Sequence, residues 1–317
     1  MIEVQQLTKM YQDTVAVSNV SFSVKEGQTM VLLGTSGSGK TTTLRMLNRL
    51  TEPTSGSIFI DGKNILSQPP EVLRRSIGYV LQGYGLFPHY TVAQNIAIVP
   101  KLLKWPKEKI RKRVDELLYK LQLPPHEYRH VYPATLSGGQ KQRVGLARAL
   151  ATDPPILLMD EPFGALDMLT KLAVRKEFKE LDALKKKTII LVTHDVHEAF
   201  ELGDKIGLMD KGKMQQLASP PELLFRPANN FVQAFFKHHL FELEWQSISL
   251  KNIWNDLPEV GTEMYATLSS SQTLWEAMEE VANNNTAVYA FDEETKSGRN
   301  ITFEHLKSAI QKQKQQP

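Results

Sequence analysis

Three short, unbroken apolar runs stand out in the first two thirds of the chain: Met30 to Leu33 (MVLL), Ile156 to Met159 (ILLM) and Thr188 to Thr193 (TIILVT). Continuous runs of this length predict strands buried on both faces. Between them the apolar positions change to helical spacing, in Thr42 to Leu50 and again in Pro106 to Gln122, where Ile110, Val114, Leu117, Leu118 and Leu121 recur. Lys141 to Ala151 (KQRVGLARALA) is rich in residues that favour helix. Buried strands alternating with helices predict an α/β domain. After Ala228 to Phe236 (ANNFVQAFF) this pattern fades. A smaller order of helix, strand, turn, strand and helix follows between Thr267 and Ile310. Leu274, Ala277, Met278 and Val281 form its helical face, Ala287 to Phe291 a short strand and Asp292 to Gly298 a polar turn. The closing QKQKQQP predicts a frayed tail. The domain boundaries that follow are 1–238 and 239–317.

Candidate chemistry lies at the ends of the strands. Gly34 to Thr41 reads GTSGSGKT and follows the first apolar run directly. In such a loop the glycines Gly34, Gly37 and Gly39, with Thr35, Ser36 and Ser38 between them, turn successive N–H groups toward phosphate oxygens. Lys40 reaches the outer phosphates, the Thr41 hydroxyl can hold Mg²⁺, and Thr42 continues into the helix whose N-terminus faces the anion. The expected ligands are therefore a nucleoside triphosphate and Mg²⁺.

The second apolar run ends in Asp160 and Glu161, and the third is followed by His194. Asp160 can hold the metal through its water shell, Glu161 can orient or deprotonate an attacking water, and His194 can sense the terminal phosphate. An Asp-Glu pair after a strand can also be a solvated turn. Leu136 to Gln140 (LSGGQ) opens the Ala- and Arg-rich helix. Ser137, Gly138, Gly139 and Gln140 could present N–H groups and a hydroxyl to phosphate, or could simply cap the helix.

Composition narrows the field modestly. There are 38 Lys+Arg against 35 Asp+Glu, a net charge of +3, with 41% hydrophobic and 23% charged residues, which fits an ordinary folded chain rather than a nucleic-acid binder. Without cysteine, disulfides and thiolate-metal sites are ruled out. No apolar run approaches the roughly 18 residues a membrane helix needs, and the N-terminus lacks secretory-signal character. His238 and His239 have no spaced acidic partner and are read as exposed, and Lys185 to Lys187 as a solvated helix end.

Phosphate loop, LSGGQ, ILLMDE, the ALD of Ala165 to Asp167 and His194, in this order, resemble the ATPase subunit of an ABC transporter. The resemblance implies a P-loop nucleotide-binding domain with an inserted helical subdomain at about 83–153. It puts Tyr11 where an aromatic stacks on adenine, although plain strand packing is open. It puts Gln82 where a glutamine links Mg²⁺ and the γ-phosphate to the partner-contacting segment, and Asp167 at the seam of a homodimer. Membrane permease subunits are the implied partners of the helical subdomain, through Phe87, Pro88, Tyr90 and Val92, with an extracytoplasmic solute-binding protein beyond them and the chain on the cytoplasmic face. The wording IGYVLQ, GLFPH and NIAIVPKLLKW is similar to importers of glycine betaine, choline and carnitine, although Gly83 departs from that pattern; importers of amino acids or other small amines stay open. The C-terminal part is similar to a single degenerate CBS module. A soluble ABC protein without a membrane partner is the reading from another class, and one cassette without coiled-coil heptads speaks against it.

Overall fold

The computed structural model describes residues 1–260, 268–284 and 287–315. They fall into two compact units, 1–217 and 218–317. The first unit opens with a hairpin of β1 (Ile2–Tyr11) and β2 (Thr14–Val24), followed by β3 (Thr29–Gly34) and α1 (Lys40–Leu47). Next come β4 (Ser55–Ile60), β5 (Lys63–Asn64), α2 (Pro70–Ser76) and β6 (Ile77–Val80). Five helices intervene before the next strand: α3 (Val92–Ile96), α4 (Ile98–Leu102), α5 (Lys107–Lys120), α6 (Pro125–Tyr128) and α7 (Gly138–Leu150). The unit then returns to β7 (Ile156–Asp160), α8 (Met168–Glu180), β8 (Thr188–Thr193), α9 (Val196–Leu202), β9 (Lys205–Asp210) and the edge strand β10 (Lys213–Ala218).

One sheet has the order β2-β1-β4-β5 and the other β10-β9-β3-β8-β7-β6. In the second sheet β9, β3, β8, β7 and β6 run parallel. β3 has a neighbour on each side, and Met30 to Leu33 are all fully buried, which is why its sequence is continuous rather than alternating. The apolar faces of both sheets meet α1, whose Leu44, Met46 and Leu47 join Val4, Phe22 and Ile190 in one core. Parallel pairing places the carboxyl ends of β6, β7, β8 and β3 along one edge, where ligands of open α/β sheets bind. Along α5, Ile110, Val114, Leu117 and Leu118 are buried, as their spacing predicts.

The second unit contains α10 (Pro220–Phe225), α11 (Asn230–Phe236), α12 (Leu240–Ser247), β11 (Glu259–Val260), β12 (Leu268–Ser269), α13 (Leu274–Asn284), β13 (Val288–Asp292), β14 (Ser297–Ile301) and α14 (Phe303–Gln315). Its sheet order is β11-β14-β13-β12. The sequence pattern runs to residue 238, whereas the first compact unit ends at Leu217. Phe225 packs against the second unit's core around Trp245, Leu250 and Leu306, so α10 belongs to that unit. The expected frayed tail is helical through Gln315, held by Lys312 to Asp256 at 2.7 Å and Lys314 to Glu244 at 2.8 Å; Gln316 and Pro317 lie outside the described residues. Lys187 is also not a solvated helix end: it lies in a turn and pairs with Asp153 at 2.7 Å.

Asp292 ends β13 and accepts from Ser270 Oγ at 2.6 Å and from Thr295 Oγ1 at 2.6 Å. These bonds, Ser270's first, bring its carboxyl down to about 2. A depressed folded pKa contributes stability above the unfolded value, and that contribution is lost as pH falls through the folded one. Asp292→Asn is therefore expected to lower the melting temperature of the full chain above about pH 4. The gap to wild type should close toward pH 2. Thermal melts at both pH values check it, and a gap independent of pH would contradict it.

Candidate active site

The phosphate-loop sequence folds as it does because two of its glycines cannot be anything else. Gly34 has φ 151° and Gly39 has φ 95°. A side-chain carbon would lie 2.1 Å from the Met209 carbonyl oxygen at the first and 2.5 Å from that of Ala16 at the second. Thr35, Ser36 and Gly37 are exposed, whereas Ser38 and Lys40 are buried. Lys40 Nζ donates to the carbonyls of Gly34 at 2.9 Å and Thr35 at 2.7 Å, and to Ser38 Oγ at 3.3 Å. Burial holds its pKa below the usual lysine value, while the Glu161 and Asp160 carboxylates pull it back up. Exchanging neutral carbonyls for phosphate oxygen strengthens each of its bonds, since both partners are then charged.

Asp160 is the last residue of β7 and 1% exposed. Thr41, on the first turn of α1 with Thr42 beside it, donates its hydroxyl to Asp160 at 2.8 Å. Burial pushes the Asp160 carboxyl up, opposed by that hydrogen bond and by Arg45. The Thr41 hydroxyl, the Asp160 carboxylate and the amide oxygen of Gln82 are all hard oxygen donors, the chemistry that suits Mg²⁺. A divalent cation there would favour the ionised carboxylate that burial disfavours.

Glu161 has φ 44°, in the left-handed region, a strain of about 1 to 3 kcal/mol. Its N–H donates to Val192 O at 3.0 Å, so the chain is still tied to β8 as it leaves the strand. Gln82 Nε2 donates to Glu161 Oε2 at 3.2 Å, and His194 Nδ1 lies 3.4 Å from the same oxygen. The ends of β6, β7 and β8 thus converge on one carboxylate. Lys40, Thr41, Gln82, Asp160, Glu161 and His194 form one constellation, as expected of a site that binds a phosphate chain and activates water.

Ser137 to Gln140 stand apart from it: among the described residues no hydrogen bond or ion pair joins them to the phosphate loop. Ser137 and Gln140 form a capping box at the start of α7, and Gln140 Nε2 donates to Tyr128 Oη at 3.0 Å. A side-chain carbon on Gly138 would lie 2.8 Å from Tyr84 Oη, and one on Gly139 2.9 Å from Thr170 Cγ2. The cap reading is therefore real, and it leaves Ser137 exposed. Tyr11 ends β1 and is 48% exposed, with Lys9 Nζ 5.0 Å from its ring centroid, so it is not a core residue. Asp167 caps α8 by accepting from Thr170 N at 3.1 Å and is exposed.

Several residues that shape the site gave no sequence signal of their own. Tyr84 donates to the Ala165 carbonyl at 3.2 Å, linking the segment after Gln82 to the ALD turn. Lys171 on α8 pairs with Asp195 at 2.7 Å and Glu198 at 2.6 Å. Burial works against its charge, but these two carboxylates hold its pKa above the usual value. Asp195 caps α9 through Glu198 N at 3.1 Å, and the Asp-x-x-Glu spacing after His194 was the one legible trace of it.

The family model described as ABC transporter matches residues 17–164. The glycine betaine/carnitine/choline transport ATP-binding protein of Bacillus subtilis is 46% identical over 281 residues, covering 88% of this chain and 72% of that protein. The chain belongs to the ABC transporter ATP-binding subunits. Another relative, the glycine betaine uptake system ATP-binding protein of Escherichia coli, is 49% identical and covers 80% of this chain and 81% of its own length. A solved dimeric bacterial ABC transporter cassette superposes with a TM-score of 0.62 at 35% identity, covering 69% of this chain and 98% of that one. This ABC subunit is thus an ATPase. No helix among its described residues is long and apolar enough to cross a membrane.

Proposed function

We propose that two copies of this chain close head to tail around two ATP molecules and drive a membrane importer of small osmoprotectants. The observation that carries the composite site is that the chain holds one phosphate loop and one LSGGQ, and that among the described residues no hydrogen bond or ion pair joins the two. Ser137 to Gln140 would then meet the phosphates held by the phosphate loop of the other copy. The dimeric solved cassettes support this assembly. Tyr11, exposed at the end of β1, offers its face to adenine.

Within one site, Gly34 to Thr42 cradle and orient the phosphate chain. Glu161 orients the attacking water and takes its proton, with Gln82 and His194 holding the carboxylate from two sides. Mg²⁺, held by Thr41, Asp160 and Gln82, would neutralise charge on the transferring phosphoryl group. Asp167, at the exposed start of α8, would face the seam.

Gln82 also begins the segment leading to Phe87 and Tyr90, 44% and 39% exposed, which line a groove of about 470 Å³ with Ile98 and Leu102. This groove suits a short helix of a permease at the cytoplasmic membrane face, and Pro88, next to Phe87 in the chain, is exposed. Val92 is fully buried and takes no part. The second unit, with α13, β13, β14 and α14 in order, supports a lone CBS-like module that serves dimer packing or survives as a remnant.

The names of the relatives point to glycine betaine, choline or carnitine as cargo, delivered by an extracytoplasmic binding protein. Cells whose own copy carries Glu161→Gln should lose uptake of labelled glycine betaine, choline and carnitine at high osmolarity, to the level of a deletion strain. Unchanged uptake of all three, with loss of amino-acid uptake instead, would transfer the assignment to the alternative cargo.

A further inference from the structure

The turn carrying His194 is held from two sides. Thr193, at the buried end of β8, donates its hydroxyl to Glu198 and accepts from Asp195 N at 3.0 Å. Asp195 and Glu198 both then close on a single cation, Lys171, which comes from α8 rather than from β8 or α9. Glu198 is 2% exposed, and Lys171's side chain 17%. Removing the ammonium would leave two neighbouring carboxylates facing each other in a largely buried place, and they separate at the expense of the turn between them. His194 is the residue directly before Asp195, and its Nδ1 lies 3.4 Å from the Glu161 carboxylate.

Lys171 is also one turn from the start of α8, where its N–H donates to the Asp167 carbonyl at 2.8 Å. A displacement of that helix start therefore carries the Lys171 backbone with it and bears, through the ammonium's two ion pairs, on the Asp195 cap. A second ion pair, Arg175 to Glu201 at 2.6 Å, ties the same two helices one turn farther from His194. Of these two ion pairs, the one made by Lys171 closes on Asp195 itself, whereas Arg175 acts on Asp195 through its charge at a distance.

We propose that Lys171 is a positioning residue that couples the exposed start of α8 to His194, so that the seam contact made there sets the geometry of the water-activating carboxylate. The inference rests on the composite-site reading, in which Asp167 faces the second copy. Lys171 touches no substrate; it acts through Asp195 and Glu198.

The test compares Lys171→Met, Lys171→Arg and Arg175→Met in steady-state ATP hydrolysis by the full chain, with melting temperatures alongside. Lys171→Met should lower kcat by on the order of a hundredfold, the effect of a small misplacement of a catalytic group, with KM for ATP within about twofold. Lys171→Arg should recover most of the rate, because a guanidinium can span the same two carboxylates. Arg175→Met should lower the melting temperature while leaving kcat within about threefold, since the ion pair it removes is made to Glu201, one turn beyond Glu198. Lys171→Met combined with Glu161→Gln should still dimerise with ATP. Equal losses of kcat in Lys171→Met and Arg175→Met, tracking their melting temperatures, would reduce Lys171 to a structural role, and so would a raised KM. If the parent chain itself hydrolyses no ATP or never dimerises, it is the composite-site reading that fails.

Discussion

Glu161→Gln is expected to cut ATP turnover by on the order of a thousandfold while leaving ATP binding intact. The amide is nearly the same size as the carboxylate, so the backbone at φ 44° and the N–H bond to Val192 are kept. What is lost is the carboxylate on which Gln82 and His194 converge, the group proposed to take the proton. The phosphate loop lies on a different strand end and keeps its hydrogen bonds, although Lys40 loses the Glu161 charge that raises its pKa. Single-turnover hydrolysis beside equilibrium nucleotide binding separates the two effects. Turnover near the wild-type rate would remove Glu161 from its role.

Lys40→Ala acts on the other half of the site. Its ammonium is the only side-chain cation bonded within the loop among the described residues, and it sits buried against Gly34, Thr35 and Ser38. Losing a charge-assisted phosphate contact of about 1.5 to 3 kcal/mol should weaken ATP by roughly one to two powers of ten. The same substitution leaves Glu161 and His194 in place, so affinity rather than proton transfer is what falls. Titration calorimetry with ATP reads this directly, and an unchanged affinity would contradict the phosphate-loop assignment.

The parts of the site that were legible in sequence are those fixed by local backbone chemistry. Gly34 and Gly39 announce themselves because a side chain collides there with Met209 and Ala16 carbonyls. Asp160, Glu161 and His194 were visible because continuous apolar strands end at them, and parallel pairing brings such ends to one edge. Lys171 and its two carboxylates were not visible, because the pairing spans two helices and no periodicity records which charges meet. The strain at Glu161 was likewise hidden, since it comes from the strand neighbour that holds its N–H. In LSGGQ the sequence held two meanings at once: Ser137 and Gln140 cap α7 as any helix start might, and the glycines are also required by Tyr84 and Thr170. The limit of the first unit was misleading because ANNFVQAFF continues a helical pattern, and a helical pattern does not say which core it joins.

The central claim is that one chain cannot complete its own site. Light scattering of Glu161→Gln with and without Mg-ATP tests it most directly, because the variant keeps the phosphate cradle and cannot release the closed state by hydrolysis. The account predicts a monomer that doubles in mass with Mg-ATP and fails to do so when Ser137 is also replaced by a bulky residue. A dimer that forms equally well with Ser137 replaced, or a chain that binds ATP tightly and stays monomeric, would contradict it.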